Sequence, residues 1–424
     1  MSGWDLGVDT KMSDLEAFRH ETREWLEANC PDGVRGASEP MAVWGGRRAT
    51  FPNEDAKVWL ERMVEKGWTV PTWANEYGGA GLSEAEAKVL AEETARLKAN
   101  APLFSFGMAM LAPALMEFAS EEQKLEFLPP IARGEIRWCQ GYSEPGSGSD
   151  LASLRTRAVR DGDHYVVNGS KIWTSDADKS DWIFALVRTD PDVPKHDGIS
   201  FLLFDLHQPG VTISPIRLIS GQSDFCQVFF ENAKAEAKNL VGPLNGGWTI
   251  AKRLLQHERQ MLSGTMPGGA NDPMVPKKKS KQKKEAVASP APRSALAEDA
   301  RGYLGGDDAL AEPVLRDRIA QYELDTLCMG LTLKRAGEEA KAKSGTGAAS
   351  SMFKLYASEL NKRRGELQMA IRGAAALGWE GDGFSPNEIA ETRGWLRSKG
   401  NSIEGGTSEV QLNVIAKRVL GLPD

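Results

Sequence analysis

Several things are scarce in this chain of 424 residues, and each scarcity closes off a class of function. Its four cysteines, Cys30, Cys139, Cys226 and Cys328, are widely scattered with no CxxC pair, and its five histidines form no cluster beside them. Zinc and a disulfide framework are therefore not expected, and free thiols in a reducing compartment are. No uncharged apolar run reaches the roughly 18 residues that a membrane span needs, and Met1 to Asp14 holds no basic-then-apolar leader, so a cytoplasmic location is expected. Positive charge is not in excess either: a net charge of −7 argues against nucleic acid as the main partner. No GxGxxG stands on a strand-to-helix turn, which argues against a Rossmann-type dinucleotide site.

What is present is a chain long enough for two or three domains, whose hydrophobic period changes twice. The first third has helical pattern, over Glu54 to Lys66, Leu103 to Glu117 and Glu121 to Ala132. Ser13-Asp14-Leu15-Glu16 and Ser83-Glu84-Ala85-Glu86 both have the capping-box form. From about Arg155 the period becomes two, in runs such as His164–Val167, Ile172–Ser175, Trp182–Arg188, Ile199–Asp205 and Gln227–Phe230. Asn168-Gly169 between two of these is a type I′ turn sequence, so antiparallel pairing is expected. From Gly247 the pattern is helical again, with long runs from Pro313 to Lys343 and from Ser350 to Leu377. The expected fold is α+β and multidomain: an N-terminal α-helical domain (1–136), a middle antiparallel β-barrel or sandwich (137–243), and a C-terminal four-helix bundle (244–424). Within the last, Gly268 to Ala300 is rich in Gly, Pro, Ala and Ser and carries six lysines in the eight residues from Lys277 to Lys284. It reads as a solvated, flexible insertion, with docking to an acidic partner or membrane surface as the alternative.

The string richest in chemistry is Tyr142-Ser143-Glu144-Pro145-Gly146-Ser147-Gly148-Ser149-Asp150, followed by Lys171-Ile172-Trp173-Thr174-Ser175. Glycines at 146 and 148 let the backbone pass close to a flat ligand, Ser143, Ser149 and Ser175 offer short hydroxyl donors, and Trp173 supplies a stacking face. Such a combination suits a flavin. Taken alone, the Gly/Ser string reads more readily as a surface turn before a hairpin, and the spacing to Trp173 and the rest of the chain tip the balance.

That spacing resembles the acyl-CoA dehydrogenase family, in which a T/S-E-P-x-x-G-S-D loop and a K-x-W-x-T/S strand hold the isoalloxazine of FAD. Gly67-Trp68 and Pro71-Thr72-Trp73-Ala74-Asn75-Glu76-Tyr77-Gly78-Gly79-Ala80-Gly81-Leu82 are similar to its GW…P…EYGGxG segment. Gly406-Thr407-Ser408-Glu409-Val410-Gln411 is similar to its G-T-S/N-x-x-Q loop. The resemblance spans nearly the whole chain apart from about residues 265–312. It implies FAD as cofactor, held by Tyr142, Ser143, Gly148, Ser149, Trp173, Thr174 and Ser175, with Thr407 and Ser408 at the adenosine side and Gly378 in a loop like the family's G-G-x-G-F. It implies an acyl-CoA substrate touched by Ser149, Arg259 and Gly405, and electrons passed to an electron-transferring flavoprotein. Assembly as a homotetramer, or as a heterotetramer with a related subunit, is implied too. One departure stands out: where many members carry Arg-x-Phe-Gly, the nearest text is Arg301-Gly302-Tyr303-Leu304-Gly305-Gly306. A flavin oxidase or monooxygenase of the same fold, and a non-autonomous subunit of a heteromeric dehydrogenase, stay open as alternatives.

The implied reaction is α,β-desaturation of the thioester, with a carboxylate removing the α-proton while the β-hydrogen leaves as hydride to flavin N5. That base needs a raised pKa, which burial in an apolar pocket provides. Two glutamates compete. In some members the base directly precedes the Gly of the G-T-S loop, where this chain has Gly405, with Glu404 one residue too early. In others it lies on the first helix after the β-domain in L-x-x-E-R, here Leu255-Gln256-His257-Glu258-Arg259. On the helix from Gly247 to Leu262, Trp248, Ala251, Leu254, Leu255, Met261 and Leu262 form one stripe, and Glu258 lies on it. A carboxylate there is costly unless paired or protonated. Glu258 is thus the first choice and Glu404 the second, the plain alternative for Glu258 being a buried pair with an arginine.

Overall fold

The computed structural model describes residues 6–36, 43–262, 295–305, 312–342 and 349–423, without the side chains at 6–13, 256–262, 295, 340–341 and 349–350. These residues fall into two compact units. One runs to Ile216 and resumes over Asp224–Glu258; the other comprises Arg217–Ser223 and the described residues from Arg259 onward.

The first unit opens with five α-helices: α1 (Leu6–Asn29), α2 (Glu54–Glu65), α3 (Glu84–Arg96), α4 (Ala112–Phe118) and α5 (Glu121–Ala132). Because α1 begins at Leu6, Ser13 lies inside it and marks no helix start. The Ser83 box does form: Ser83 Oγ accepts the Glu86 N–H at 3.3 Å and the Glu86 carboxylate accepts the Ser83 N–H at 2.8 Å. The helix expected over Leu103 to Glu117 is instead a π-turn at Gly107–Leu111 running into α4. Pro113 has no N–H to give to the carbonyl four residues back, and Ala112 donates to Gly107, five residues back. Leu26, Trp59, Leu60, Met63 and Leu90 bury the seam of α1, α2 and α3.

The eight strands are β1 (Trp138–Gly141), β2 (Arg157–Asp161), β3 (His164–Ser175), β4 (Trp182–Arg188), β5 (Ile199–Asp205), β6 (Val211–Ile216), β7 (Phe225–Glu236) and β8 (Leu240–Val241). They make one sheet in the order β6-β7-β3-β2-β4-β5-β8, with β1 on β4. Antiparallel pairs dominate as expected, but β4 makes the sheet mixed: β1 runs parallel to it, and Arg157 of β2 meets Arg188 in a parallel pair. Strands β4 and β5 are buried on both faces and read as continuous apolar runs rather than as alternation. One face carries Ile183, Ala185, Val187, Leu202 and Phe204. On α5, Phe127 packs edge-on against Trp138 and Trp182, with ring centroids 5.7 and 5.5 Å away. Gln123 Nε2 donates to the carbonyls of Lys238 and Leu240, tying the same helix to the turn after β7 and to β8.

Asn168-Gly169 is not a hairpin turn. Strand β3 continues through it, with Gly169 at φ 144° and a register shift against β7 between Val167 and Gly169. Asn168 Oδ1 accepts the Asn232 N–H at 2.9 Å, and a Cβ on Gly169 would stand 2.7 Å from Thr156. The extra residue of that shift lies on β7, where Asn232 has φ 55°, and Gly169 is required because Thr156 approaches too closely for any side chain. The β2–β3 hairpin turns instead at Gly162-Asp163, where Gly162 has φ 59°.

Helix α6 (Gly247–Leu262) follows the sheet, and its residues to Glu258 group with the first unit rather than with the later helices. In the second unit α9 (Ala349–Arg372) packs against α7 (Ala295–Leu304), α8 (Pro313–Lys341), α10 (Pro386–Ser398) and α11 (Ser408–Val414). Residues 295–300, expected within the solvated insertion, are helical and supply Leu296 and Ala300 to the core with Ile319, Leu367 and Ile371. Ala and Leu there give a helix an apolar face that the lysine run cannot; the run itself lies outside the described residues. Half-buried Arg372 forks onto Glu391 at 2.6 and 2.8 Å and reaches Asp299 at 3.0 Å, joining α9, α10 and α7. All four cysteines are free thiols, and among the described residues no helix is long and apolar enough to cross a membrane.

Candidate active site

The Ser/Gly string forms a closed loop between β1 and β2. Glu144 and Ser147 exchange backbone hydrogen bonds at 2.9 Å each way. Ser147, buried, turns its hydroxyl inward to the carbonyls of Asp150 and Leu151 at 2.8 and 3.1 Å. Tyr142 is buried and Ser143 half-buried, whereas Gly146, Gly148 and Ser149 are exposed. Ser143 accepts the Ile172 N–H at 2.9 Å, which brings the loop against β3.

Under this loop lies a buried ion pair. Lys171 Nζ, with no exposed side-chain surface, donates to Glu144 Oε1 at 2.8 Å and to the Tyr142 carbonyl at 3.0 Å. The Glu144 carboxylate also accepts the backbone N–H groups of Arg155 at 2.7 Å and Thr156 at 2.9 Å. Burial pushes the Glu144 carboxyl up, but the Lys171 charge and these donors outweigh it and hold it below the ordinary value. Burial pushes Lys171 down to about 8, against the pull of Glu144 and with a further push from Arg188.

Two residues beyond Lys171 the backbone does something unusual. Trp173 has φ 61°, in the left-handed region that a bulky L-residue avoids, and its ring is half exposed, meeting Phe225 edge-on at 6.1 Å. The register of β3 against β7 shifts between Lys171 and Thr174, so this second bulge turns Trp173 outward. Such a conformation costs on the order of 1 kcal/mol or more and persists where surroundings over-determine it. Thr174 is turned the other way. It is buried, and its hydroxyl has no hydrogen-bond partner among the described residues. Half-buried Ser175 pairs with Phe225. Trp173 and Thr174, grouped by the sequence, therefore occupy opposite faces.

The glycines bear on whether this loop suits a flat ligand. Neither Gly146 nor Gly148 has a positive φ, and a Cβ added to either meets nothing within 4 Å. Nothing inside the chain requires glycine at these positions, which leaves room for a ligand that comes close to the backbone. An open Gly-lined loop and an outward strained tryptophan fit a flat, polar-edged cofactor such as FAD, whereas the Thr174 hydroxyl lies on the other face.

On α6 the buried positions are Gly247, Ile250, Ala251 and Leu254. One helical turn beyond Leu254, position 258 continues that row, and position 259 leaves it. The side chains of Glu258 and Arg259 lie outside the described residues.

The second unit holds the other candidates. Glu404 is partly exposed, accepts from Arg397 at 2.9 Å and from the Asn401 amide, and so is already paired. Gly405 and Gly406 have φ of 61° and 92°, and the Gly405 carbonyl accepts from Gln411 at 3.3 Å. Thr407 caps α11 by accepting the Val410 N–H at 3.2 Å, and Ser408 Oγ lies 3.4 Å from the Ser402 carbonyl. Their hydroxyls thus have partners inside the loop. Gly378 is buried at ordinary φ, and a Cβ there would stand 2.4 Å from the Phe384 ring, so close packing requires the glycine.

Family profiles for the N-terminal, middle and C-terminal domains of acyl-CoA dehydrogenases match residues 12–135, 139–233 and 294–420. The chain belongs to the acyl-CoA dehydrogenase family. Acyl-CoA dehydrogenase IpdE1 of Mycobacterium tuberculosis is 35% identical over 97% of this chain and 99% of its own. Acyl-CoA dehydrogenase FadE34 of the same organism is 34% identical over 92% of this chain but only 49% of its own length. Among solved structures, one described as the Tcur3481-Tcur3483 steroid ACAD is 29% identical with a TM-score of 0.68, covering 97% of this chain and 98% of that one. The ChsE4-ChsE5 complex from Mycobacterium tuberculosis is 28% identical with a TM-score of 0.65 and the same coverage. Membership makes this acyl-CoA dehydrogenase an oxidoreductase acting on acyl-CoA, with helical, β-sheet and helical domains in that order.

Proposed function

We propose that the chain desaturates an acyl-CoA thioester between its α- and β-carbons, with FAD in the loop beside Trp173 and Glu258 as the base. The observation that carries this reading is Trp173, held outward at φ 61° next to Ile172, whose N–H bonds the loop that carries two glycines facing open space. FAD, when bound, supplies the acceptor for the hydrogen that leaves the β-carbon. The chain's own residues do the rest. Trp173 gives a stacking face, while Tyr142, Ser143, Gly148, Ser149 and Ser175 line the loop with backbone and hydroxyl groups for the cofactor's polar edge. Glu258 takes the α-proton; position 258 continues the row of Ala251 and Leu254 on α6. Glu404 is the weaker choice because Arg397 and Asn401 hold it. Ser149, Arg259 and Gly405 remain the candidates for the thioester and CoA, and Gly378, Thr407 and Ser408 for the adenosine end of FAD. Electrons would pass on to an electron-transferring flavoprotein.

A second reading makes the chain one subunit of a two-chain dehydrogenase. It is favoured by two-name complexes among the similar structures, and by a relative twice as long, which has room for a second unit of this size. The likeness to the Tcur3481-Tcur3483 steroid ACAD favours a thioester with a steroid-derived acyl group. The test is a set of straight-chain, branched, dicarboxylic and steroid-side-chain thioesters mixed anaerobically with the FAD-loaded protein. Loss of the flavin's visible absorbance with the steroid-derived member supports the reading. Bound FAD that no thioester bleaches contradicts it. FAD uptake only beside a co-expressed related chain selects the two-chain form.

A further inference from the structure

The flavin candidates of the first unit lie on two segments, Tyr142–Ser149 and β3 from Trp173 to Ser175, and the loop that carries the first ends at a third, Arg155–Thr156. All three converge on one buried carboxylate. Glu144 takes the N–H groups of Arg155 and Thr156, and Lys171 takes both Glu144 and the Tyr142 carbonyl. Ile172 then donates to Ser143, and the next residue is Trp173 in its left-handed conformation. A fully buried lysine cannot touch a ligand on the open side of the loop, and a buried ion pair is poor value as a stabiliser when apolar residues could fill its place. What it does well is fix one geometry: the ammonium has two fixed acceptors and the carboxylate three fixed donors, so none of the segments shifts without stranding a buried charge.

We infer that Glu144 and Lys171 are positioning residues for the cofactor, acting through the bulge that holds Trp173 outward and through closure of the Ser143–Thr156 loop. This rests on the FAD reading above. It goes further in assigning cofactor affinity to a pair that never touches the cofactor.

The test uses full-length protein labelled with 5-fluorotryptophan, the Trp173 signal being assigned by its loss in Trp173→Phe. In Lys171→Met the Trp173 fluorine signal of the FAD-free protein should move or broaden, and the FAD dissociation constant should rise at least about tenfold. Glu144→Gln, which keeps the size of the side chain, should do the same to a smaller degree and serves if Lys171→Met fails to fold. Leu202→Ala, in the sheet core on β5, controls for general destabilisation; it should lower the melting temperature yet leave both readouts within about threefold of wild type. An unmoved Trp173 signal in both loop variants overturns the inference whether or not wild type binds FAD. Equal loss of affinity in Leu202→Ala overturns it as well. A wild-type chain that takes up no FAD, alone or with a related chain, counts against the functional reading instead.

Discussion

Glu144 and Glu404 each face a cation in a loop beside candidate ligand groups, and their surroundings differ in almost every other respect. Glu144 is 9% exposed, its partner Lys171 not at all, and every oxygen contact is a short bond to a fixed donor. Glu404 is 34% exposed beside an Arg397 that is 28% exposed, on a turn whose next two residues have positive φ. Water can replace the second pair and cannot replace the first. The contrast teaches where the chain has spent stability on geometry: under the Ser143–Thr156 loop, which keeps a strained Trp173 presented before any ligand arrives.

That contrast can be broken in several ways, beginning with the largest effect. Trp173→Gly removes the left-handed strain and the stacking face together. FAD affinity should fall roughly 10- to 100-fold, while the FAD-free protein melts at or above the wild-type temperature; unchanged affinity would remove Trp173 from the site. Next, Glu144→Gln should cost the sheet unit about 3 kcal/mol at neutral pH, read by denaturant unfolding. Because the folded carboxyl lies below its ordinary 4.5, this stability is present above that value and is lost as pH falls beneath it, so the variant and wild-type curves should converge in acid. Lys171 gives the opposite flank. Its folded value of about 8 lies below 10.5, so between these the unfolded chain binds more protons. Its contribution therefore rises with pH across that window and is lost as pH falls through 8; Lys171→Met should flatten that rise in stability. The smallest effect belongs to Glu404→Gln, which should change stability by less than about 1 kcal/mol and leave turnover within about threefold.

The order of domains was legible because helical and strand periods differ; Ser83 kept to its local rule, and β4 and β5 fell at the expected residues though buried on both faces rather than alternating. Local rules failed where tertiary contact decided the outcome. Asn168-Gly169 carries a turn sequence, yet strand β3 runs through it opposite a bulge on β7, and the glycine serves the close approach of Thr156. Ser13 has a capping form, yet the helix had already begun at Leu6. The flavin-type motif was visible at Trp173, but its residues appeared as one ligand-facing string. Period two would put Trp173 inward with Lys171, but the bulge exchanges it with Thr174, so Trp173 faces out and Thr174 in, and a one-residue slip of this kind has no signature in a period of two. Lys171 itself was missed as a functional residue although a signal existed. It shares the inward parity of Tyr165 and Val167, and an inward lysine calls for a buried acceptor, which Glu144 supplies.

The most direct test of the central claim is anaerobic single turnover of FAD-loaded Glu258→Gln, Glu404→Gln and wild type with one good acyl-CoA, followed by the flavin's visible absorbance. Glu258→Gln should retain FAD and lose the bleaching rate by about 10³-fold or more, with Glu404→Gln close to wild type. Bleaching that survives in Glu258→Gln, or that is lost only in Glu404→Gln, would contradict the assignment of Glu258 as the base.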